Sequence, residues 1–168
     1  NFSSLRTTGG YLELQGASVA NMESASIVGS QFPSVPGAIW ILTDRSGPAG
    51  FSNQGVIATN YSEVGISASF STDDLNGLSV GGGQLNLAHS HINNSGRVLS
   101  PSSYDAGAGT HRPWVLGSGT IVEGGVIDVG AGDFVGSAAF HNVSIEGLLE
   151  IQNTTPDGGL AELEISGG

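Results

Sequence analysis

His89 and His91, in "LAHSHIN", are the first residues whose types and spacing could do chemistry. On a strand, positions i and i+2 share a face, and two imidazoles side by side are part of many zinc sites. No third ligand stands near them in sequence, and His111 and His141 could join them only through the fold. By position parity the pair shares the face of Leu85 and Leu87, so either a corner intervenes or the imidazoles are partly buried. A structural or exposed role is the expectation, and no metal ligand is assigned.

Carboxylates are the second candidates. If Asp128 and Glu150 occupied equivalent places on neighbouring strands, they would lie ~5 Å apart and repel. A bound Ca²⁺ would relieve that, with Asp133 of "GAGDF" in reach. Against calcium stand the missing "GGxGxD" repeats and the simpler alternative of a solvated acidic face screened by salt. No cofactor is expected, calcium being the one weighed.

For glycoside cleavage the available acids are Asp73, Asp74 and Asp105. Adjacent residues of a strand point to opposite faces, so Asp73 and Asp74 cannot serve one bond unless the backbone bends. The chain has no lysine to act as a base, and "GGG" at 81–83 lacks the rest of a phosphate loop. These residues predict a protein that is not an enzyme.

The triplet asparagine, any residue but proline, then serine or threonine begins at Asn1, Asn60, Asn93, Asn142 and Asn153. With 10 asparagines and 32 serines or threonines in 168 residues, chance predicts about 2 such triplets. The five are candidate N-glycosylation sites, against the alternative that these residue types are simply common at turns of β proteins. Trp40, in the apolar run "AIWIL", is expected in a core. Trp114 and Tyr104, in the exposed-looking stretch 100–114, are candidates for a carbohydrate-stacking surface or a subunit contact, against the commoner case of a loop tryptophan packed back on its own domain.

The elements that must position these residues read as β throughout. Glycine, at 28 residues, recurs too often for a long helix, and charged residues are only 11% of the chain. A pattern of glycine, any residue, apolar, polar, apolar occurs as "GYLEL" from Gly10, "GQLNL" from Gly83, "GVIDV" from Gly125, "GLLEI" from Gly147 and "GLAEL" from Gly159. "YSEVGISASF" (61–70) alternates likewise, placing Val64, Ile66, Ala68 and Phe70 on one face. Steps of 42 and 22 residues between copies suit a rung of about 21 residues, and the whole chain would then form about 8 rungs.

The expectation is one β-rich domain over residues 1–168, as a parallel β-solenoid (β-helix). The alternative is an antiparallel β-sandwich or jelly roll with donor-strand pairing between subunits. Residues 77–168 carry the repeat-like pattern. Residues 1–76 are less regular, with 33–50 read as an insertion or part of a cap.

Net charge is −11, with four arginines as the only lysine-or-arginine cations, which argues against a nucleic-acid partner. No apolar run reaches the ~20 residues of a membrane span, so membrane insertion is not expected. The absence of cysteine leaves burial and backbone hydrogen bonding to hold the fold. A start at Asn1 rather than methionine suggests a processed or partial polypeptide.

"GGGQLNLAHSHINNSG" (81–96), "GSGTIVEGGVIDVG" (117–130) and "FHNVSIEGLLEIQN" (140–153) resemble the rungs of extracellular parallel β-helix proteins. Autotransporter passengers and filamentous-haemagglutinin-like adhesins are the families meant, and phage tailspikes look similar at this level. The resemblance spans residues 77–168 and implies an extracellular or cell-surface structural or adhesive protein that self-assembles into a homo-oligomer, filament, fibre or surface array. A glycan or another cell-surface ligand is the implied partner. It assigns no catalytic residue. A phage or viral fibre and a β-helix carbohydrate-active enzyme are the alternatives.

Overall fold

In the computed structural model the residues described are 4–29, 37–44, 50–81, 83–100, 114–129, 134–147 and 163–167, with backbone alone for 134–136 and 163. The chain is all-β, and its strands follow one another in a regular order. The first are β1 (Ser4–Arg6), β2 (Gly10–Gly16), β3 (Val19–Asn21), β4 (Ser26–Val28), β5 (Gly37–Thr43) and β6 (Phe51–Asn53). Then come β7 (Val56–Ala58), β8 (Glu63–Ser67), β9 (Ser69–Ser71), β10 (Leu78–Ser79), β11 (Gln84–Asn86) and β12 (His91–Asn93). The last are β13 (Val98–Leu99), β14 (Trp114–Glu123), β15 (Val126–Asp128), β16 (Phe134–His141), β17 (Ser144–Glu146) and β18 (Leu163–Ser166). One 3₁₀ turn, Thr72–Leu75, follows β9.

Every pairing among the described residues is parallel, and partners lie from 18 residues apart (Val126 with Ser144) to 32 apart (Val19 with Phe51). The antiparallel sandwich considered from sequence is therefore not what forms. Parallel neighbours need a crossover between them, and here short strands and corners supply it where a helix often does. The longest sheet runs β2, β5, β8, β11, β14, β16, β18, with β12 joined to β14 and β9 to β12. The other three sheets are β1-β4-β7-β10, β13-β15-β17 and β3-β6.

In-register pairing turns period-two alternation into rows of apolar side chains. Leu12, Ile39, Val64 and Leu85 form one row of the long sheet, and Leu14, Ile41 and Ile66 the next. Phe70, Ile92, Val122 and Phe140 form a third, which Phe51 extends by packing edge-on against Phe70 at 5.8 Å between ring centroids. Ile27, Ile57 and Leu78 form a fourth, and Leu99, Ile127 and Ile145 a fifth. Most of these side chains are fully buried, and each contributes roughly 1.5–3 kcal/mol through burial. The face of Val64, Ile66, Ala68 and Phe70 expected from sequence is buried as expected.

Several expectations are corrected. The run "AIWIL" in the segment read as an insertion belongs to β5, an in-register strand between β2 and β8. Trp40 points away from the core, because Ile39 and Ile41 take the inner positions. Trp114 opens β14 and is only 2% exposed, so it packs on its own domain, the commoner of the two roles weighed for it, and not in an exposed loop or on a carbohydrate-stacking surface. The glycine-led copies are not equivalent either: those at Gly10 and Gly83 lead strands of the long sheet, whereas that at Gly125 leads β15 in another sheet. Those at Gly147 and Gly159 run into residues outside the described ones.

Candidate functional site

Buried polar side chains mark the corner that follows β3, β6, β9 and β12. Asn21 Nδ2 donates to Asn53 Oδ1 (2.8 Å), and Asn53 Nδ2 to the Asn76 carbonyl (2.7 Å). Thr72 Oγ1 donates to Asn94 Oδ1 (2.7 Å), and Asn94 Nδ2 to the Gly124 and Val126 carbonyls (3.0 Å each). A sharp parallel corner leaves backbone groups that no ladder satisfies, and a short amide carries both a donor and an acceptor to them. Sequence reasoning missed this feature, although its signal is legible as apolar, any residue, then a small polar residue or glycine. The copies are Val19-Ala-Asn21, Phe51-Ser-Asn53, Phe70-Ser-Thr72, Ile92-Asn-Asn94, Val122-Glu-Gly124 and Phe140-His-Asn142. Where the amide gives way to Gly124 (φ +76°), a Cβ would press on Ser95, and one on the neighbouring Gly125 (φ +72°) would run into the Asn94 and Arg97 carbonyls.

The histidines settle at the next bend. Leu85 and Leu87 are buried, and the backbone then turns through His89 in the left-handed region (φ 57°), so the corner posited from parity does intervene. His89 and His91 are both exposed. His91 Nε2 meets Glu123 Oε2 at 3.2 Å, and His141 stands in register with Glu123 on the adjoining strand. No group of three histidine, aspartate or glutamate side chains among the described residues is close enough to hold a metal.

Asp128 stands beside Glu146, not the expected Glu150, because β15 and β17 pair Asp128 with Glu146 in register. Glu150, Asp105, Asp133, His111 and Tyr104 lie outside the described residues. The backbone does bend at Asp73 and Asp74, into the 3₁₀ turn, yet each carboxylate has a structural partner. Asp73 takes two hydrogen bonds from Arg97, at 2.7 Å from Nε and 2.6 Å from Nη2, which hold its carboxyl below the ordinary carboxylate range. Asp74 accepts from the Ser71 amide and hydroxyl (2.8 Å each) and from the Asn53 amide (3.2 Å).

Of the five sequons, Asn60, Asn93 and Asn142 are exposed, and Asn1 and Asn153 lie outside the described residues. Asn60 lies between Thr59 and Ser62 in a bend outside the ladders, where the Ser62 hydroxyl accepts from the Gly37 amide (3.2 Å).

Two surfaces combine size with chemistry. At the β1, β2, β3 edge an open cavity of about 820 Å³ is lined by Leu5, Leu14, Val19, Met22, Ile27 and Asn21, among others. These strands have a strand partner on one side only among the described residues. The second surface is the outer face of the long sheet. One outward row there is Tyr11, Ala38, Glu63, Gln84, and the next is Glu13, Trp40, Gly65, Asn86, Val115. The Trp40 indole lies across Gly65, where any Cβ would collide with the ring. Asn86 Nδ2 donates to Glu63 Oε1 at 3.0 Å. Register places Tyr11, Glu13 and Glu63 on this one face, and partial desolvation, then Glu13 by its charge and a hydrogen bond, then Glu63, push the Tyr11 hydroxyl above the ordinary phenol value.

Comparison with known proteins finds no matching family model, no matching curated protein and no matching solved structure.

Proposed function

We propose that this chain is a parallel β-solenoid that acts by presenting surface: an extracellular or cell-surface structural or adhesive protein, not an enzyme, that assembles end to end with copies of itself. The observation that carries the reading is the row Phe51, Phe70, Ile92, Val122, Phe140, one side chain from each successive parallel strand at one place in the fold. Rows of this kind are what coils stacked along one axis produce, each coil burying its face on the next. The Asn, Thr or Gly corner that follows each member supports the same repeat. Self-assembly is supported by the open cavity and the one-sided pairing of β1, β2 and β3, because unpaired strand edges over apolar side chains favour addition of another strand. The exposed sequons fit a glycosylated extracellular surface.

The seven strands of the long sheet's main path would give a stack of roughly 29 Å at ~4.8 Å per step, so a single chain is stubby and fibres require many copies. Electron microscopy and analytical ultracentrifugation of the full chain over a range of concentrations test this. Filaments whose aligned diffraction has a meridional spacing of ~4.8 Å are expected. Monomers at every concentration would overturn the assembly. Intact mass of material from a secreting eukaryotic host tests the sequons, with increments of glycan size expected.

A further inference from the structure

We infer that the outer face of the long sheet around Trp40 binds a glycan that carries amino sugars. The inference names the ligand for the adhesive role proposed above and rests on that reading. An outward tryptophan is costly to leave against water, and Trp40 is positioned by a specific vacancy: Gly65 on the adjacent strand lets the indole lie flat across it. Tyr11, 60% exposed, stands diagonally across the same strand pair, near enough for both rings to meet one ligand. Flat apolar faces with polar edges suit the C–H face of a pyranose, whose hydroxyls then reach the amides of Gln84 and Asn86 at the rim.

Charge selects among sugars. Glu13 is directly beside Trp40, and Glu63 is diagonal to it and in register with Ala38, whose short side chain leaves a notch between Tyr11 and Glu63. None of the chain's four arginines lies on β2, β5, β8 or β11. A uronate or sulfated chain would be repelled, whereas an ammonium on the sugar would gain both the carboxylates and the electron-rich ring faces. Strand spacing of ~4.8 Å is close to the length of one pyranose unit, so an extended chain laid across the strands would meet one strand per sugar. Two other outward rows among the described residues lack this combination: Asn93, Glu123 and His141, with His91 reaching Glu123 from the next position, and Asp128 with Glu146 carry charge without a tyrosine, phenylalanine or tryptophan.

The test is calorimetric titration of the full chain, with tryptophan fluorescence, against β-1,4-linked glucosamine hexamer, its fully N-acetylated counterpart and oligogalacturonate. Saturable binding of the glucosamine hexamer with a change in Trp40 emission is expected, and the change should persist in Trp114→Phe, since Trp114 is buried. N-acetylation removes the positive charge and should weaken binding about tenfold, and oligogalacturonate should not bind. Glu63→Gln keeps the acceptor for Asn86, and Tyr11→Ser alters an exposed side chain; each should weaken binding about two- to fivefold, the size of an exposed cation–π contact or ion pair. No binding, equal affinity for the acetylated hexamer, or affinity indifferent to both substitutions overturns the inference. The assembly state of the same sample separates the two readings: filaments that ignore the hexamer overturn only the glycan site, and monomers that bind it overturn only the assembly.

Discussion

Asn93 and Asn94 are neighbours of one residue type with opposite fates, and replacing each by alanine isolates what the corner contributes. Asn94 is fully buried and makes three hydrogen bonds, accepting from Thr72 and donating to the Gly124 and Val126 carbonyls. Asn93 is exposed and accepts one, from the Ser95 amide at 3.1 Å. At about 1 kcal/mol net per bond, Asn94→Ala should lose about 3 kcal/mol, with the Thr72 hydroxyl left unsatisfied beneath the surface. Asn93→Ala should stay within about 0.5 kcal/mol of the parent. For a chain of this length each kcal/mol moves Tm by about 2–4 °C, so thermal unfolding should fall by about 6–12 °C for the first and by about 2 °C or less for the second.

Asn94→Asp adds a pH signature. Its carboxylate keeps the acceptor for Thr72 but faces two carbonyl oxygens in place of a donor, which raises its folded pKa above the unfolded value of about 3.9. The folded state then binds more protons than the unfolded state between those two values. The variant's deficit against the parent should therefore be smallest below about pH 3.9 and grow as pH rises through the folded pKa. Equal Tm losses for Asn93→Ala and Asn94→Ala, or a deficit for Asn94→Asp that does not change with pH, would refute the corner reasoning.

Three further outcomes are expected. Gly65→Ala places a methyl where the Trp40 ring lies, so it should cost about 1–3 kcal/mol in denaturant unfolding and shift Trp40 emission to the red as the indole lifts into water. In a carbon-detected NMR titration the Asp73 carboxyl should titrate below the ordinary value of about 3.9 and return towards it in Arg97→Gln, because Arg97's hydrogen bonds cause the depression. That pair's contribution to stability is present above the unfolded pKa and is lost as pH falls through the folded one. Asp128→Asn relieves an in-register contact with Glu146 and should stabilise the chain by about 0.5 kcal/mol at low ionic strength, with the gain vanishing in high salt.

Alternation makes the strands legible: the shared face of Leu85 with Leu87, and that of Val64, Ile66, Ala68 and Phe70, follow from spacing alone, and all six are buried. What alternation cannot carry is the partner of each strand. Glycine-led copies looked alike because glycine precedes strands at more than one corner, so Gly83 and Gly125 were aligned although they open different sheets. The true period lay in a weaker signal, one apolar residue followed two positions later by Asn21, Asn53, Thr72, Asn94 or Gly124, whose spacing varies with the length of the intervening loops. Trp40 was misplaced because "AIWIL" reads as uniformly apolar, and only the pairing with Gly65 explains how an indole sits on the outside.

The scarcity of charge follows from the same geometry. Parallel, in-register strands place each outward side chain ~4.8 Å from its counterparts above and below, so like charges at equivalent positions repel along the whole row. The row Glu13, Trp40, Gly65, Asn86, Val115 holds a single acid, and the row Tyr11, Ala38, Glu63, Gln84 likewise. Glu123 stands between Asn93 and His141. Amides and hydroxyls can neighbour each other without this penalty, and they also satisfy the corners, which accounts for a polar content built from asparagine, serine and threonine in a chain that is 11% charged. Asp128 beside Glu146 departs from the rule, which is why that pair, and not the acids elsewhere, is where removing a charge should stabilise the fold.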